Sequence, residues 1–559
     1  MPEDLLKHTL GNSSGLADVT RTPQAVTILV VFCLLLFLPG ITAIPPLDRD
    51  EPRFTQATKQ MLETGDFVDI RFQEEARHKK PVGIYWLQAA SVSVFGGDRT
   101  DIWKYRIVSF LGALAAVLLT FWMARAFLAP EPAFLAALAF SATLLLGVEA
   151  HIAKTDAALL ACIVAAQGFL ARIWLARSVT AWSAIGFWVF VALGILIKGP
   201  IVLLVSGGTI LALSVWDRNA SWLLRLRPLT GLVVLLLVAA PWYIAITLRT
   251  DGAFFQESVG QDFLGKLATG QESHGAPPGT HFAVMLATFW PAAPLLAVFL
   301  PSIRGALGTP AIRFALCWAV PSWIVFELTA TKLPHYVLPI YPALTLILAT
   351  LWSQADENWR VGRWARLIAG TWLVAVPVAL FAGSIAVPIV LGSDITWLAT
   401  VLFAGATGAA VLAARSLGRS DVMKSTVLGA VTAAFVSIGA YGLALPGLSA
   451  IWVSSAIVET ARANSTCPDP RIASVGWREP SLIFLAGTDT ALKLPEGAID
   501  EAARGDCLVL AVESRDRDRF LASVAGTSTS LTEIGAVEGF ALNGGDPVRI
   551  TLYQPARRL

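Results

Sequence analysis

The chain has 559 residues, of which 55% are hydrophobic and 15% charged, and its mean hydropathy is +0.64. A soluble domain carries about 25% charged residues, so this composition excludes a soluble globular protein and points to a polytopic membrane protein. The formal net charge of +2 offers no basic excess that would point to a nucleic-acid partner.

The first apolar run begins near Ala25, after a mixed-charge leader without a basic n-region, and reads as a retained membrane helix. A crossing helix needs about 20 apolar residues. Candidate spans fall near 25–44, 106–124, 132–149, 156–174, 182–198, 200–216, 229–248, 282–302, 311–329, 335–352, 367–391, 395–414 and 425–446, about thirteen in all. Cys33, Cys162 and Cys317 lie inside apolar runs and read as packing residues.

Lys/Arg bias in short loops sets orientation. With the N-terminus cytoplasmic, Arg125, Arg172, Arg177, Arg218, Arg225, Arg227, Arg304, Arg360, Arg363, Arg366, Arg415, Arg419 and Lys424 all fall inside. An odd span count then puts the tail outside, with the long loops 45–105 and 249–281 and the short segments 150–155, 198–200 and 330–335. Bulky loops on one side suggest a site there.

The tail, 450–559, changes composition and reads as a small soluble α/β domain. Strand-like runs are Arg471–Trp477, Cys507–Glu513, Phe540–Leu542 and Val548–Tyr553, the last two flanking an Asn543–Gly544–Gly545 turn. Glu479–Leu485 and Asp516–Val524 look helical. Cys467 and Cys507 could pair in an oxidising exterior.

In the first outer loop, Asp50, Glu51 and Pro52 suit a helix start, Phe54, Ala57, Met61 and Leu62 recur at helical spacing, and Gly65 ends the helix. It is expected to lie along the membrane surface. A second amphipathic piece, Val82–Phe95, follows His78–Lys79–Lys80–Pro81, with Tyr85 and Trp86 suited to the interface.

The order DEPRF, an amphipathic helix, GDFVDIRF, then KKPVGIYWLQAASVSVFG resembles the first periplasmic loop of bacterial GT-C glycosyltransferases. These are relatives of the protein O-mannosyltransferases, and the lipid A aminoarabinose transferases are the nearest in pattern. The resemblance implies a polytopic α-helical GT-C fold with 1–449 as the transmembrane glycosyltransferase domain and 450–559 as the periplasmic one. It implies a multi-pass protein of the bacterial inner membrane. The activity implied is transfer of a sugar from a polyprenyl-phosphate carrier to an outer acceptor, lipid A or another glycolipid or glycan. Such a site must neutralise a departing lipid phosphate and place the acceptor opposite it, with a carboxylate as base where the acceptor is a hydroxyl.

By match to the family, Asp50 is the expected catalytic carboxylate, assisted by Glu51, and Asp156 in HIAKTDAALL is the second. Helix-end charge complementarity or capping would account for either alone. The expected lipid-phosphate contacts are Arg53, Lys80, Lys198 in LIKGP, and Lys332, His335 and Tyr336 in TKLPHYVLP; each alone could also be an interfacial anchor. The family has a glutamate before the K-P lysine and a later loop histidine that together bind a metal. Here Lys79 stands in the glutamate's place, so no metal is expected to be required, and Lys79 itself becomes a neutralising candidate. His274, with Glu272 or His78, would be the ligands if one is bound. The second outer loop is polar and Gly-rich and suits closure over an acceptor, with Glu257, Asp262 and Lys266 as further contacts. A transporter or flippase is the competing reading; it requires ionisable groups or broken helices near mid-bilayer. A structural assembly protein would leave the matched carboxylates and lysines unexplained.

Overall fold

The computed structural model describes residues 22–48, 50–177, 180–258, 260, 265, 275–355, 359–502, 507–525, 527 and 530–555. In chain order the helices are α1 (Thr22–Phe37), α2 (Asp50–Thr64), α3 (Gly83–Phe95), α4 (Ile102–Ala124), α5 (Pro130–Ser141), α6 (Leu144–Ala150), α7 (Asp156–Trp174), α8 (Ala181–Lys198) and α9 (Ile201–Asp217). There follow α10 (Pro228–Val238), α11 (Ala240–Arg249), α12 (Thr280–Thr288), α13 (Ala292–Phe299), α14 (Pro310–Leu328), α15 (Tyr341–Ser353), α16 (Arg363–Leu391), α17 (Trp397–Gly418) and α18 (Val422–Ser437).

Eight helices among the described residues are long and apolar enough to cross a membrane, and three bent pairs bring the number to eleven. Two further apolar helices, α1 and α9, are shorter. The bends are 63° between α5 and α6, 45° between α10 and α11, and 112° between α12 and the helical stretch from Ala292 to Ala306. The expected straight spans 132–149, 229–248 and 282–302 are therefore broken. Pro241 and Pro291 sit at two of the breaks, where a missing backbone donor and ring clashes end a regular helix.

Close helix packing positions the end of the bundle that carries the first loop. A Cβ at Gly112 of α4 would meet the Ala157 backbone at 2.7 Å, so α4 and the start of α7 touch main chain to main chain. A Cβ at Gly83 would meet the Leu196 carbonyl oxygen at 2.7 Å, which seats the start of α3 on the end of α8, two residues before Lys198.

Residues 453–555 form a separate layer: α19 (Val453–Asn464), α20 (Pro480–Ala486) and a five-stranded sheet. A short hairpin, β1 (Arg71–Phe72) and β2 (Glu75–Ala76), belongs to the first loop. The sheet strands are β3 (Arg471–Val475), β4 (Ala491–Lys493), β5 (Leu508–Glu513), β6 (Leu531–Phe540) and β7 (Pro547–Pro555), in the order β4-β3-β5-β7-β6. β3 pairs parallel with β4 and β5, while β7 pairs antiparallel with β5 and β6. Every residue of β5 is buried, as befits a central strand covered on both faces. β4 and most of β6 went unread in the sequence. Cys467 and Cys507 form a disulfide beside the start of β3.

This layer docks on the first loop. Asp48 accepts from the Ser481 amide at 2.9 Å and its hydroxyl at 2.6 Å, Gln56 donates to Thr488 at 2.8 Å, and Lys59 donates to the Phe484 carbonyl at 3.1 Å. The first loop and the tail therefore lie on the same side of the helical bundle, independently of any span count. It also corrects the expectation for α2. Gln56 and Lys59 are buried, and their side-chain nitrogens donate into the C-terminal layer rather than to solvent. Tyr85 is likewise buried against Phe54, while Trp86 is partly exposed and donates to the Phe67 carbonyl at 2.9 Å.

Candidate functional site

The starts of α2, α4 and α7 and the end of α8 meet beneath the docked layer. At their centre is a buried charged cluster around Asp156. Lys198 Nζ donates to Asp156 Oδ1 at 2.5 Å, and Lys154 Nζ stands 3.8 Å from Oδ2 and 3.0 Å from Glu149. His335 Nε2 lies 3.9 Å from Asp156 Oδ1, while Lys154 meets His335 Nδ1 at 3.4 Å. With lysine as the donor, Nδ1 accepts and Nε2 carries the proton toward Asp156. The sequence expectation joined Asp156, Lys198 and His335, and these three meet. Burial disfavours the charge on Lys154, but Glu149 and Asp156, with a further contribution from Asp50, hold its ammonium well above the ordinary lysine range.

The Ala153 amide donates to Glu51 at 2.8 Å, so Asp50, next to Glu51, stands near Lys154, next to Ala153. Asp50 is exposed at the N-terminus of α2, and its carboxylate has no hydrogen-bond or ion-pair partner among the described residues.

Glu51 differs from its expected role. It is completely buried, and its two oxygens accept from Arg106 Nε, an Arg106 terminal nitrogen, the Leu47 amide and the Ala153 amide, all at 2.8 Å. Arg106 also donates to the Ile44 and Pro45 carbonyls at 2.6 and 3.0 Å. All four lone-pair positions of the carboxylate are used, so Glu51 holds α2, α4 and the 150–155 segment together and has no capacity left to assist an acceptor.

Of the remaining expected phosphate contacts, Arg53, Lys332 and Lys80 do not join the cluster and Tyr336 borders it. Arg53 lines a cleft with residues of the C-terminal layer. Lys332 is buried, its ammonium donating to the Glu327 and Thr329 carbonyls at 2.9 and 2.5 Å, where it caps the end of α14. Tyr336 packs its ring 5.2 Å from His335 and 6.2 Å from His281, next to the cluster. Lys80 is half-buried, donating to the Lys79 carbonyl at 3.2 Å, with no ion pair to Asp50 or Asp156; Lys79 is exposed.

His78 is buried between the two outer loops, with Nε2 2.9 Å from Asp69 and Nδ1 3.4 Å from Glu257. The Asp69 hydrogen bond, against an opposing effect of burial, raises its pKa. Among the described residues no group of three or more His, Cys, Asp or Glu side chains is arranged to hold a metal ion. His274, Glu272, Asp262 and Lys266 lie outside the described residues. Lys79 is a poor metal donor beside His78, and the described residues do not fit a metal.

Sequence reasoning missed Glu149, Lys154 and Arg106. Glu149 carried a signal, being an acid inside an apolar run. Lys154 stood in view two positions before Asp156.

The helical bundle, its outer α/β layer and the cluster between them define a multi-pass membrane protein with a GT-C type fold. The crystal structure of ArnT from Cupriavidus metallidurans bound to undecaprenyl phosphate superposes with a TM-score of 0.74 at 18% identity, covering 95% of this chain and 98% of that one. Among individual proteins, the chain resembles the undecaprenyl phosphate-alpha-4-amino-4-deoxy-L-arabinose arabinosyl transferases. It is 28% identical over 307 residues to that of Erwinia tasmaniensis, 54% of each chain. It is 27% identical over 379 residues to that of Pectobacterium carotovorum, covering 65% of this chain and 66% of the relative. The chain thus matches between about half and two thirds of these relatives' lengths. Residues 79–244 match the family model described as dolichyl-phosphate-mannose-protein mannosyltransferase.

Proposed function

We propose that the chain is an integral membrane glycosyltransferase. It moves a sugar from a polyprenyl-phosphate carrier to an acceptor on the side bearing the first loop and the C-terminal layer. On this reading 1–449 is the transmembrane domain with thirteen spans, α1 and α9 included. The N-terminus is cytoplasmic, and 450–559 lies in the periplasm of a bacterial inner membrane. The acceptor is lipid A or another glycolipid or glycan. The relatives' names favour an aminoarabinose donor, but Lys79 departs from that family's pattern and the donor is left at the level of a pentose or hexose.

The observation that carries this reading is the unpartnered Asp50 carboxylate beside the buried Asp156–Lys198–Lys154–His335 cluster. As the anomeric C–O bond breaks, charge builds on the carrier phosphate. Lys198 and Lys154 would face it in a buried site where fixed cations act strongly, with the neutral His335 ring offering its Nε2–H. Lys80 and Lys79 bring further positive charge toward the carrier phosphate from the segment that Gly83 seats against Leu196, close to Lys198. Asp50 takes the proton of a hydroxyl acceptor, or orients a phosphate acceptor.

The transporter reading lacks equal support: the helix breaks at Ala142–Thr143, Ala239 and Phe289–Pro291 carry no ionisable side chain. The test is donor-dependent transfer of radiolabelled sugar in proteoliposomes. Transfer by the unaltered protein, abolished by Asp50→Asn with melting behaviour unchanged, supports the reading; equal transfer by the variant refutes Asp50 as the acid.

A further inference from the structure

A cleft of about 590 Å³ opens where α2 meets the C-terminal layer. Its wall draws Arg53 from the first loop, Arg478 and Glu479 from the turn before α20, Arg515 from the end of β5, and Asp546 from the β6–β7 turn. Two of these are already engaged. Arg515 donates to both oxygens of Glu513 at 2.7 Å, and Glu479 accepts from the Asn543 amide at 3.2 Å. The side chains of Arg53, Arg478 and Asp546 have no hydrogen-bond or ion-pair partner among the described residues.

Three distant stretches of sequence thus bring two uncommitted guanidinium groups and an uncommitted carboxylate to one concavity. A guanidinium fork matches phosphate oxygens in geometry and charge, while carboxylates accept from sugar hydroxyls. We propose that this cleft is a subsite for the phosphorylated saccharide head of the acceptor. The proposal rests on the transferase reading. It follows from the position of Arg53, three residues along α2 from Asp50 and so about one helical turn away on a neighbouring face. A saccharide anchored at Arg53 and Arg478 presents its adjoining group to Asp50. The C-terminal layer then supplies one wall of the acceptor site, and Arg53 serves the acceptor rather than the carrier.

A carrier phosphate has the same anionic chemistry, so the experiment has two arms. Full-length protein in lipid nanodiscs is titrated with deacylated, bisphosphorylated glucosamine disaccharide, with its dephosphorylated form, and with a short-chain polyprenyl phosphate. The bisphosphorylated sugar is expected to bind the unaltered protein. Its affinity should fall by about tenfold in Arg478→Ala and again in Arg53→Ala, the range of a lost charge-assisted contact, with partial rescue in Arg478→Lys. The dephosphorylated sugar should bind about tenfold more weakly than its parent, and polyprenyl phosphate should bind Arg478→Ala as it binds the unaltered protein. Absent sugar binding, equal affinity for both sugars, or an Arg478→Ala variant that binds the sugar normally would overturn the subsite. Loss of polyprenyl phosphate in Arg478→Ala would assign the cleft to the carrier and also overturn it. Failure of the unaltered protein to bind polyprenyl phosphate would count against the transferase reading, a result separate from the sugar arm.

Discussion

Glu51 and Arg106 meet with both side chains completely buried, the guanidinium donating from Nε and a terminal nitrogen to the two carboxylate oxygens at 2.8 Å each. The pair joins the start of α2 to the start of α4, and the Ala153 amide ties the segment before Asp156 to the same carboxylate. Asp50, adjacent in sequence, therefore projects from a fixed base.

Removing one partner of a buried pair strands the other charge, at a cost of about 3–5 kcal/mol. Glu51→Gln is expected to lower the melting temperature of detergent-purified protein markedly. Asp50→Asn, which breaks no contact in the structure, should leave it unchanged. Thermal unfolding followed by size exclusion checks both, and a silent Glu51→Gln would contradict the positioning role.

Lys198 and Lys332 are expected to part company. Lys198→Met removes the cation bonded to Asp156 and should lower kcat/KM for transfer by about a hundredfold, the scale of one lost transition-state donor. Lys332→Met removes a cap on α14 and should cost about 1 kcal/mol of stability with less than threefold effect on transfer. Parallel kinetics and melting curves separate the two outcomes.

The link between the outer loops should depend on pH through His78, which faces Asp69 and Glu257, with Arg71 also bound to Asp69 at 3.2 Å. The folded protein raises the His78 pKa. The stabilisation is thus fully present below the unfolded histidine value of about 6.5 and is lost as pH rises through the folded value. Protection factors of the amides at residues 251–258, with intrinsic exchange divided out, should fall across that window, and the fall should be absent in His78→Gln.

The Cys467–Cys507 disulfide closes a stretch of 40 residues, for which chain entropy predicts about 4 kcal/mol of stabilisation. Cys467→Ser is expected to destabilise the C-terminal layer to proteolysis while binding of polyprenyl phosphate persists. Equal protease resistance would show that docking on the first loop, through Ser481 and Lys59, carries the layer's stability instead.

The apolar runs made the helical bundle readable in the sequence, and Asp156, Lys198 and His335, each expected in the site, do meet. What stayed hidden depended on direction and partners. Glu51 follows Asp50 by one residue, but successive helical side chains point about 100° apart, and nothing local showed that Arg106, 55 positions on, would fill its lone pairs. The polar residues of α2 gave the pattern of a surface helix; the Ser481, Phe484 and Thr488 groups that cover it lie more than 400 residues away. Lys332 was expected to contact a phosphate because its capping carbonyls belong to a helix end that composition does not locate.

The central claim is that the Asp156 cluster and Lys80 together hold a lipid phosphate beside Asp50. Binding of a short-chain polyprenyl phosphate to purified protein, by native mass spectrometry, tests it most directly. The account predicts a single bound molecule per chain, lost in both Lys198→Met and Lys80→Met and retained in Asp50→Asn. Retention in both lysine variants, with the protein folded, would contradict it.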